Sequence, residues 1–424
     1  MPDLKPIVAI NKDLVEFCQT IVKIPSFTGQ EEKVAKVILA KLLNFGIDEA
    51  WIDEIGNVIG VLRGQGQGPN ILLNGHLDVV PAGELDNWRF EPFGAEIDSD
   101  GNMHGRGTVD MKGGLAALVF TMKLMKDIKD KGVSFPGNII FSAVVHEEAA
   151  EMFGMDYLCR VSLPKKDLGF DICYLAEPTT GKINLGHRGK VEIVLKTHGR
   201  VAHSSQPWRG INALEKMTPV LDNIFNKMSH ELPSHPELGQ CSITVTNAIC
   251  RPGSLSVIPG ECEISIDRRY IPGETPNRIV HDLETLLDSF KEKDPEFKAS
   301  ASVRTVLERS YTGYEKKVQK HHPVWMTAKD HPFVKKTQQA LERIGKRGEL
   351  GYFSAGVDGG LTAGLMGIPT IGYSGADEKL CHTPKEHIST RTLTEDTAAY
   401  VAILCELFDI DMDILEKTRS RHAI

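Results

Sequence analysis

The sequence predicts a two-part α/β protein: a mixed sheet flanked by helices, interrupted by an inserted ferredoxin-like α+β domain. Three observations carry this. At 424 residues the chain exceeds the roughly 250 to 300 residues at which one hydrophobic core stops growing. In its first and last parts, short apolar runs bounded by Gly, Pro or Asn alternate with helical patterns, the mark of strands buried on both faces. In the middle the elements follow the order β-α-β-β-α-β, the split unit of a small α+β domain.

Taken in order, residues 31–45 (EEKVAKVILAKLLNF) place apolar side chains at helical spacing, and Gly46 stops them. NILLNG at 70–75 and GNIIFSAVV at 137–145 read as buried strands. Between them, 112–126 reads as a helix opened by a Gly-Gly turn, and DICYLAEP at 171–178 gives a further strand. The inserted unit comprises strands at 191–197, 242–249, 261–268 and 298–306, with helices at 212–227 and 277–290. The α/β pattern then resumes with a helix at 334–344, the apolar run MGIPTIGY and a last helix at 393–408. Boundaries near Gly186 and Ser310 divide the chain into a discontinuous domain, 1–186 with 310–424, and an insert, 187–309. The segment 308–329 is longer than a plain crossover requires and is expected to shape the pocket.

Composition narrows the function. Hydrophobic residues make up 41% and charged residues 25%, with 39 Gly and 22 Pro, which excludes disorder and a fibrous fold. A net charge of −8 disfavours nucleic acid as a partner. No basic-then-apolar leader opens the sequence and no run nears the roughly 18 apolar residues that span a bilayer, so no membrane partner and a cytoplasmic location are expected. The eight cysteines are scattered without a C-x-x-C pair and read as reduced thiols.

Open α/β sheets place chemistry at the carboxyl ends of their strands. Acids and imidazoles follow the apolar runs here: His76 and Asp78 after NILLNG, Asp110 in HGRGTVDMKGG, Glu147 and Glu148 after IIFSAVVH, Glu177 after ICYLA, and His382 after a Gly-rich turn. Imidazole and carboxylate without thiolate suit zinc, cobalt or manganese, and a carboxylate can bridge two ions about 3.5 to 4 Å apart. Each residue alone has a plainer reading. His76 can be a hydrogen-bonded histidine, Asp110 a helix cap, the Glu pair a solvated turn and His382 part of a surface loop.

Six ordered segments join these residues. HLDVVP at 76–81, NWRFEPFGAEI at 87–97, GRGTVDMKGGLAA at 105–117, the Glu pair, AEP at 176–178 and CHTPKEH at 381–387 resemble the M20 metallopeptidases, most closely the acetylornithine deacetylase and succinyl-diaminopimelate desuccinylase group. The resemblance implies a zinc-peptidase-like catalytic domain, with the insert as lid and dimerisation domain, and two zinc ions per subunit replaceable by cobalt or manganese. His76, Asp110 and Glu177 would hold one ion and Asp110, Glu148 and His382 the other, with Asp110 bridging. Asp78 would accept the second ring N–H of His76. Glu147 would be the general base, taking a proton from the attacking water and returning it to the leaving amine. His146 departs from the family pattern, in which Asp or Thr often precedes the Glu pair. The resemblance associates Glu at position 177 with deacylases and carboxypeptidase-like members rather than aminopeptidase-like ones, which tilts the reading towards N-acyl amino acid hydrolysis.

In the insert, VAHSSQPWRGINAL resembles the segment whose histidine, here His203, reaches a partner's site to stabilise the oxyanion, with Asn212 nearby. The resemblance thus implies a homodimer. Arg268 and Arg269 in SIDRRYIPGE can grip a carboxylate bidentately or remain solvated surface charges. Gly356 in SAGVDGGLTA lies in a loop resembling the one near the substrate carboxylate, or in a plain turn. The expected activity is cleavage of an N-acyl amino acid of the acetyl or succinyl type. A dipeptidase or carboxypeptidase is the alternative within enzymes. A non-catalytic binding descendant would have no need of Glu147, and a Rossmann-like oxidoreductase would need a G-x-G-x-x-G after its first strand, which is missing.

Overall fold

The computed structural model of the chain describes residues 5–149 and 152–411, with side chains from residue 11 onwards. The outer ends of the expected discontinuous domain, 1–4 and 412–424, lie outside the described residues. An eight-stranded mixed sheet forms its centre, in the order Glu49–Ile52, Val58–Arg63, Asn138–Val144, Ile71–His76, Ile172–Leu175, Thr370–Gly372, Ile183–Asn184 and Leu350–Gly351. The four middle strands, from Asn138–Val144 to Thr370–Gly372, run parallel, so their carboxyl ends share one edge.

Period-two burial explains why these runs are strands. Ile71, Leu73, Ile139, Phe141, Ile172 and Tyr174 enter one core, while Leu72, Ile140, Val144, Cys173 and Leu175 enter a second core on the other face. The first core is covered by the helices Lys5–Val22, Glu32–Asn44, Lys112–Asp130, Pro332–Arg343 and Thr390–Leu407. The helix Lys5–Val22 was not foreseen, although Leu14, Phe17, Cys18 and Ile21 lie at i, i+3, i+4 and i+7 and are buried. The strand pair Glu49–Ile52 and Val58–Arg63 was also unforeseen.

One local expectation is corrected. Gly113 and Gly114 do not form a turn; they sit in the first turn of Lys112–Asp130. A Cβ on Gly114 would lie 2.3 Å from Ala176 O, and one on Gly113 2.4 Å from Thr108 O. The pair thus lets the helix approach the strand end that carries Glu177.

The middle of the chain forms an antiparallel sheet in the order Ser242–Arg251, Glu261–Tyr270, Gly189–His198 and Lys298–Val303, as a ferredoxin-like unit requires. Val220, Ile224, Leu283 and Leu287, from the helices Ala213–Asn226 and Pro276–Lys291, pack on Val191, Ile193, Ile264 and Ile266. The expected strand over 298–306 ends at Val303. Thr305–Arg309 pairs instead with Glu315–Gln319 in a separate hairpin, after which His321–His322 returns to Lys190 and Val191. No helix among the described residues is long and apolar enough to cross a membrane. All eight cysteines are free thiols.

Candidate metal centre

The shared edge of the parallel strands brings the acids and imidazoles together. His76 is the last residue of its strand, with its side chain fully buried. Its Nδ1 lies 2.9 Å from the Asp78 carbonyl, and an N–H there turns Nε2 towards the cluster. Nε2 is 2.9 Å from Asp110 Oδ1, 3.7 Å from Glu177 Oε1 and 3.9 Å from Glu147 Oε2. On the other side, His382 Nε2 lies 3.2 Å from Asp110 Oδ2 and 3.1 Å from Glu148 Oε2. Asp110 therefore stands between two imidazoles, one on each of its oxygens.

The supporting groups differ in part from expectation. The Asp78 carboxylate is 3.6 Å from His76 Nδ1, farther than the backbone carbonyl, and its main contacts are elsewhere. It accepts from Glu147 N at 3.0 Å, Glu148 N at 3.1 Å and Thr28 Oγ1 at 2.8 Å. Asp78 thus anchors the turn that presents both glutamates. Glu386 does the same for Asp110, accepting from Val109 N at 3.0 Å and Asp110 N at 3.2 Å while pairing with the buried Arg106. Both Arg106 and Glu386 fall within the quoted motifs, yet a buried ion pair spanning 280 residues has no local signature. Asp358, also missed, is buried and accepts from Asn74 Nδ2 at 2.9 Å; its position amid glycines was the available clue.

Charge in the cluster is strongly perturbed. Burial pulls His76 down, but Glu177, Asp110 and Asp78 outweigh it and hold the imidazole well above its ordinary value. Hydrogen bonds to Asp110 and Glu148 raise His382 to about 10. Burial pushes Glu147 and Glu177 well above the carboxylate range and Glu148 in the same direction. For Asp110 the upward effect of burial is outweighed by His382 and His76, which hold it low. Buried Glu147 Oε1 and Glu148 Oε1 have no hydrogen-bond partner. Orphaned carboxylate oxygens cost free energy unless a cation meets them, so this donor set fits divalent metal. Two triads, His76/Asp110/Glu148 and His76/Glu147/Glu177, each bring their ligand atoms within 4.8 Å of one another.

A pH dependence follows. His76, held well above the imidazole range, and His382, raised to about 10, carry protons in the metal-free protein, and a cation must displace them. Zinc binding at pH 7 should release at least about one proton per ion, and affinity should rise with pH. Calorimetric titration in two buffers of different ionisation enthalpy measures the release; no release contradicts this electrostatic account.

The cleft beside the cluster is lined by Pro178, Phe353, Ser354, Gly356, Val357 and Cys381. The lid residues His203, Asn212, Arg268 and Arg269 do not line this cleft within one chain. His203 is exposed on the short strand Ala202–His203, with Nδ1 2.8 Å from Ser205 Oγ. Asn212 caps the helix Ala213–Asn226, accepting from Leu214 N at 3.0 Å. Arg268 is buried and pairs with Glu274 at 2.5 Å, and Arg269 pairs with Asp267 at 2.8 Å.

A cluster of buried or partly buried carboxylates with one buried and one half-exposed imidazole, at the carboxyl edge of this sheet under a ferredoxin-like lid, defines a metal-dependent hydrolase of amide bonds. The chain belongs to peptidase family M20/M25/M40, whose model matches residues 72–406. It is 30% identical over 395 residues to the uncharacterized protein YgeY of Escherichia coli strain K12, covering 92% of this chain and 93% of that protein. It is 29% identical over 285 residues to a succinyl-diaminopimelate desuccinylase of Hydrogenovibrio crunogenus, covering 65% of this chain and 73% of that protein. The fold matches a tripeptidase from Staphylococcus aureus with TM-score 0.71 at 19% identity, over 94% of this chain and 99% of that one. It also matches YXEP of Bacillus subtilis, a dinuclear metal binding peptidase, with TM-score 0.67 at 16% identity, over 95% and 99% of the two chains. The expected family and α/β fold with its inserted lid are thereby established.

Proposed function

We propose that the protein is a dinuclear zinc hydrolase that removes the acyl group from an N-acyl amino acid, with Glu147 as general base. The observation that carries this is Asp110 poised between His76 and His382, with Glu148 on the His382 side, Glu177 on the His76 side and Glu147 Oε1 unpartnered beside the cleft. His76, Asp110 and Glu177 would hold one ion, and Asp110, Glu148 and His382 the other. Zinc, or cobalt or manganese in its place, would supply Lewis-acid activation of water and of the amide carbonyl.

The residues of the chain then divide the work. Glu147, raised by burial, takes the proton of the attacking water and delivers it to the amide nitrogen as the C–N bond breaks. Asp78 holds the backbone of Glu147 in place through its 3.0 Å hydrogen bond. A substrate carboxylate would be met by the loop at Gly356 and by Arg268 or Arg269, displacing Glu274 or Asp267. The desuccinylase among the relatives favours a deacylase over a peptidase. A screen of zinc-loaded protein against N-acetyl and N-succinyl amino acids and dipeptides tests this. Turnover of dipeptides alone overturns the deacylase reading.

Within this reading, residues 1–186 with 310–424 form the catalytic domain and 187–309 the lid, the free thiols suit a cytoplasmic location, and the enzyme works as a homodimer. Ser242–Arg251 is an edge strand of the lid sheet, and its unpaired backbone groups suit a two-fold contact. His203, exposed in its own chain, would then donate to the oxyanion in a second copy. Mixing inactive His203→Ala and Glu147→Ala subunits under exchange should return activity to up to about a quarter of all sites. No recovery despite demonstrated exchange means that His203 does not act in trans.

A further inference from the structure

The long segment before the last α/β part turns out to be a strut between the lid and the catalytic turn. Its neck is built into the lid sheet: Arg304 N donates to Glu192 O at 2.8 Å, Lys320 N to Arg304 O at 2.8 Å and Glu192 N to Lys320 O at 2.9 Å. Its tip is bolted to the catalytic domain. Tyr311 Oη donates to Gly56 O at 3.0 Å, Thr312 Oγ1 to Glu54 O at 2.7 Å and Lys316 Nζ to Asp156 Oδ2 at 2.8 Å. Gly56 is shaped to this contact, with φ of 114° and room for no Cβ, which would lie 2.4 Å from the Tyr311 ring. Tyr314 packs edge-on to Tyr157 at 5.0 Å.

Between neck and tip, the hairpin touches the turn that presents the two glutamates. Lys320 Nζ donates to Ala149 O at 2.6 Å, directly after Glu148. Glu308 Oε2 lies 3.5 Å from His146 Nδ1, directly before Glu147. His146 adopts φ of 59°, a left-handed conformation that costs a non-glycine residue free energy and persists only where the surroundings impose it. Asp78 secures the turn from inside, through the amides of Glu147 and Glu148. The hairpin secures its outer side.

We infer that Lys320 and Glu308 are positioning residues for the Glu147–Glu148 turn, through which the lid-borne hairpin fixes the base and its neighbouring ligand. The inference rests on the roles proposed for those two glutamates, so the test includes a readout that needs no turnover. Hydrogen exchange of the full chain, metal-free and zinc-loaded, is compared in Lys320→Met, Lys320→Arg and Glu308→Gln. Amides of 144–149 should exchange roughly tenfold faster in Lys320→Met, as expected for loss of a hydrogen bond to a charged donor, while Ile71–His76 stays protected. Lys320→Arg should restore protection. On an N-acetyl amino acid that the wild type turns over, kcat should fall while KM stays within about twofold of the wild-type value. Unchanged exchange at 144–149, faster exchange throughout the sheet, or faster local exchange with unchanged kcat each overturns the inference. If Lys320→Met does not fold, Glu308→Gln is read by the same criteria. A wild type that hydrolyses no N-acyl amino acid or dipeptide sinks the functional reading instead, and the exchange pattern still decides whether the hairpin supports the turn.

Discussion

Glu147→Ala should lower kcat by roughly 10²-fold to 10⁴-fold while metal content stays near that of the wild type, whereas Glu148→Ala should lose metal. The two residues are adjacent and share Asp78 as backbone anchor, so the expected difference comes from what their carboxylates meet. Glu148 Oε2 is 3.1 Å from His382 Nε2, which itself touches Asp110, and this places Glu148 in the proposed ligand set. Glu147 comes no nearer than 3.9 Å to His76, keeps Oε1 free and borders the cleft. Since Glu147 also forms a possible triad with His76 and Glu177, the reverse outcome is physically available. Metal loss in Glu147→Ala together with retained metal in Glu148→Ala would exchange the two roles. Kinetics and elemental analysis on the same preparations decide it.

Asp110→Ala should be the most damaging single change. Each Asp110 oxygen faces a different imidazole, so the substitution removes a ligand from both proposed ions at once. It also leaves two buried or half-buried imidazoles, both raised by their carboxylate neighbours, without the group that balances them. Lewis-acid activation contributes several kcal/mol, so kcat should fall by at least about 10³-fold, with metal content reduced at both positions. The loop itself should persist, because Glu386 holds it through the backbone amides of Val109 and Asp110. A variant that keeps both ions and most of its activity contradicts the bridging role.

The fold was legible wherever burial imposes a period on the sequence. NILLNG, GNIIFSAVV and DICYLAEP sit in the parallel centre of the sheet, where both faces are covered and apolar runs are nearly continuous. The β-α-β-β-α-β order survived because the two central lid strands, Gly189–His198 and Glu261–Tyr270, alternate cleanly. The break after Val303 was hidden because Thr305–Arg309 alternates in the same way as a sheet strand, and only its pairing with Glu315–Gln319 distinguishes it. At the site, the residues that follow strands directly were readable from position. Those that act through distant backbone, such as Glu386 on the Asp110 loop and Lys320 on Ala149, were not, because their partners lie 276 and 171 residues away. Asp78 shows the limit from the other side: its spacing from His76 suggested a carboxylate–imidazole pair, while its strongest contacts are to the glutamate turn.

The central claim, that a pair of metal ions held by His76, Asp110, Glu148, Glu177 and His382 makes this chain an amide hydrolase, is tested most directly by metal removal and return. Protein stripped by exhaustive chelation is titrated with zinc, or with cobalt, while hydrolysis of an N-acetyl or N-succinyl amino acid accepted by the untreated enzyme is followed. The account predicts no turnover without metal and recovery that continues beyond the first equivalent and levels off near the second. Full turnover in a preparation shown by elemental analysis to contain no metal would contradict it.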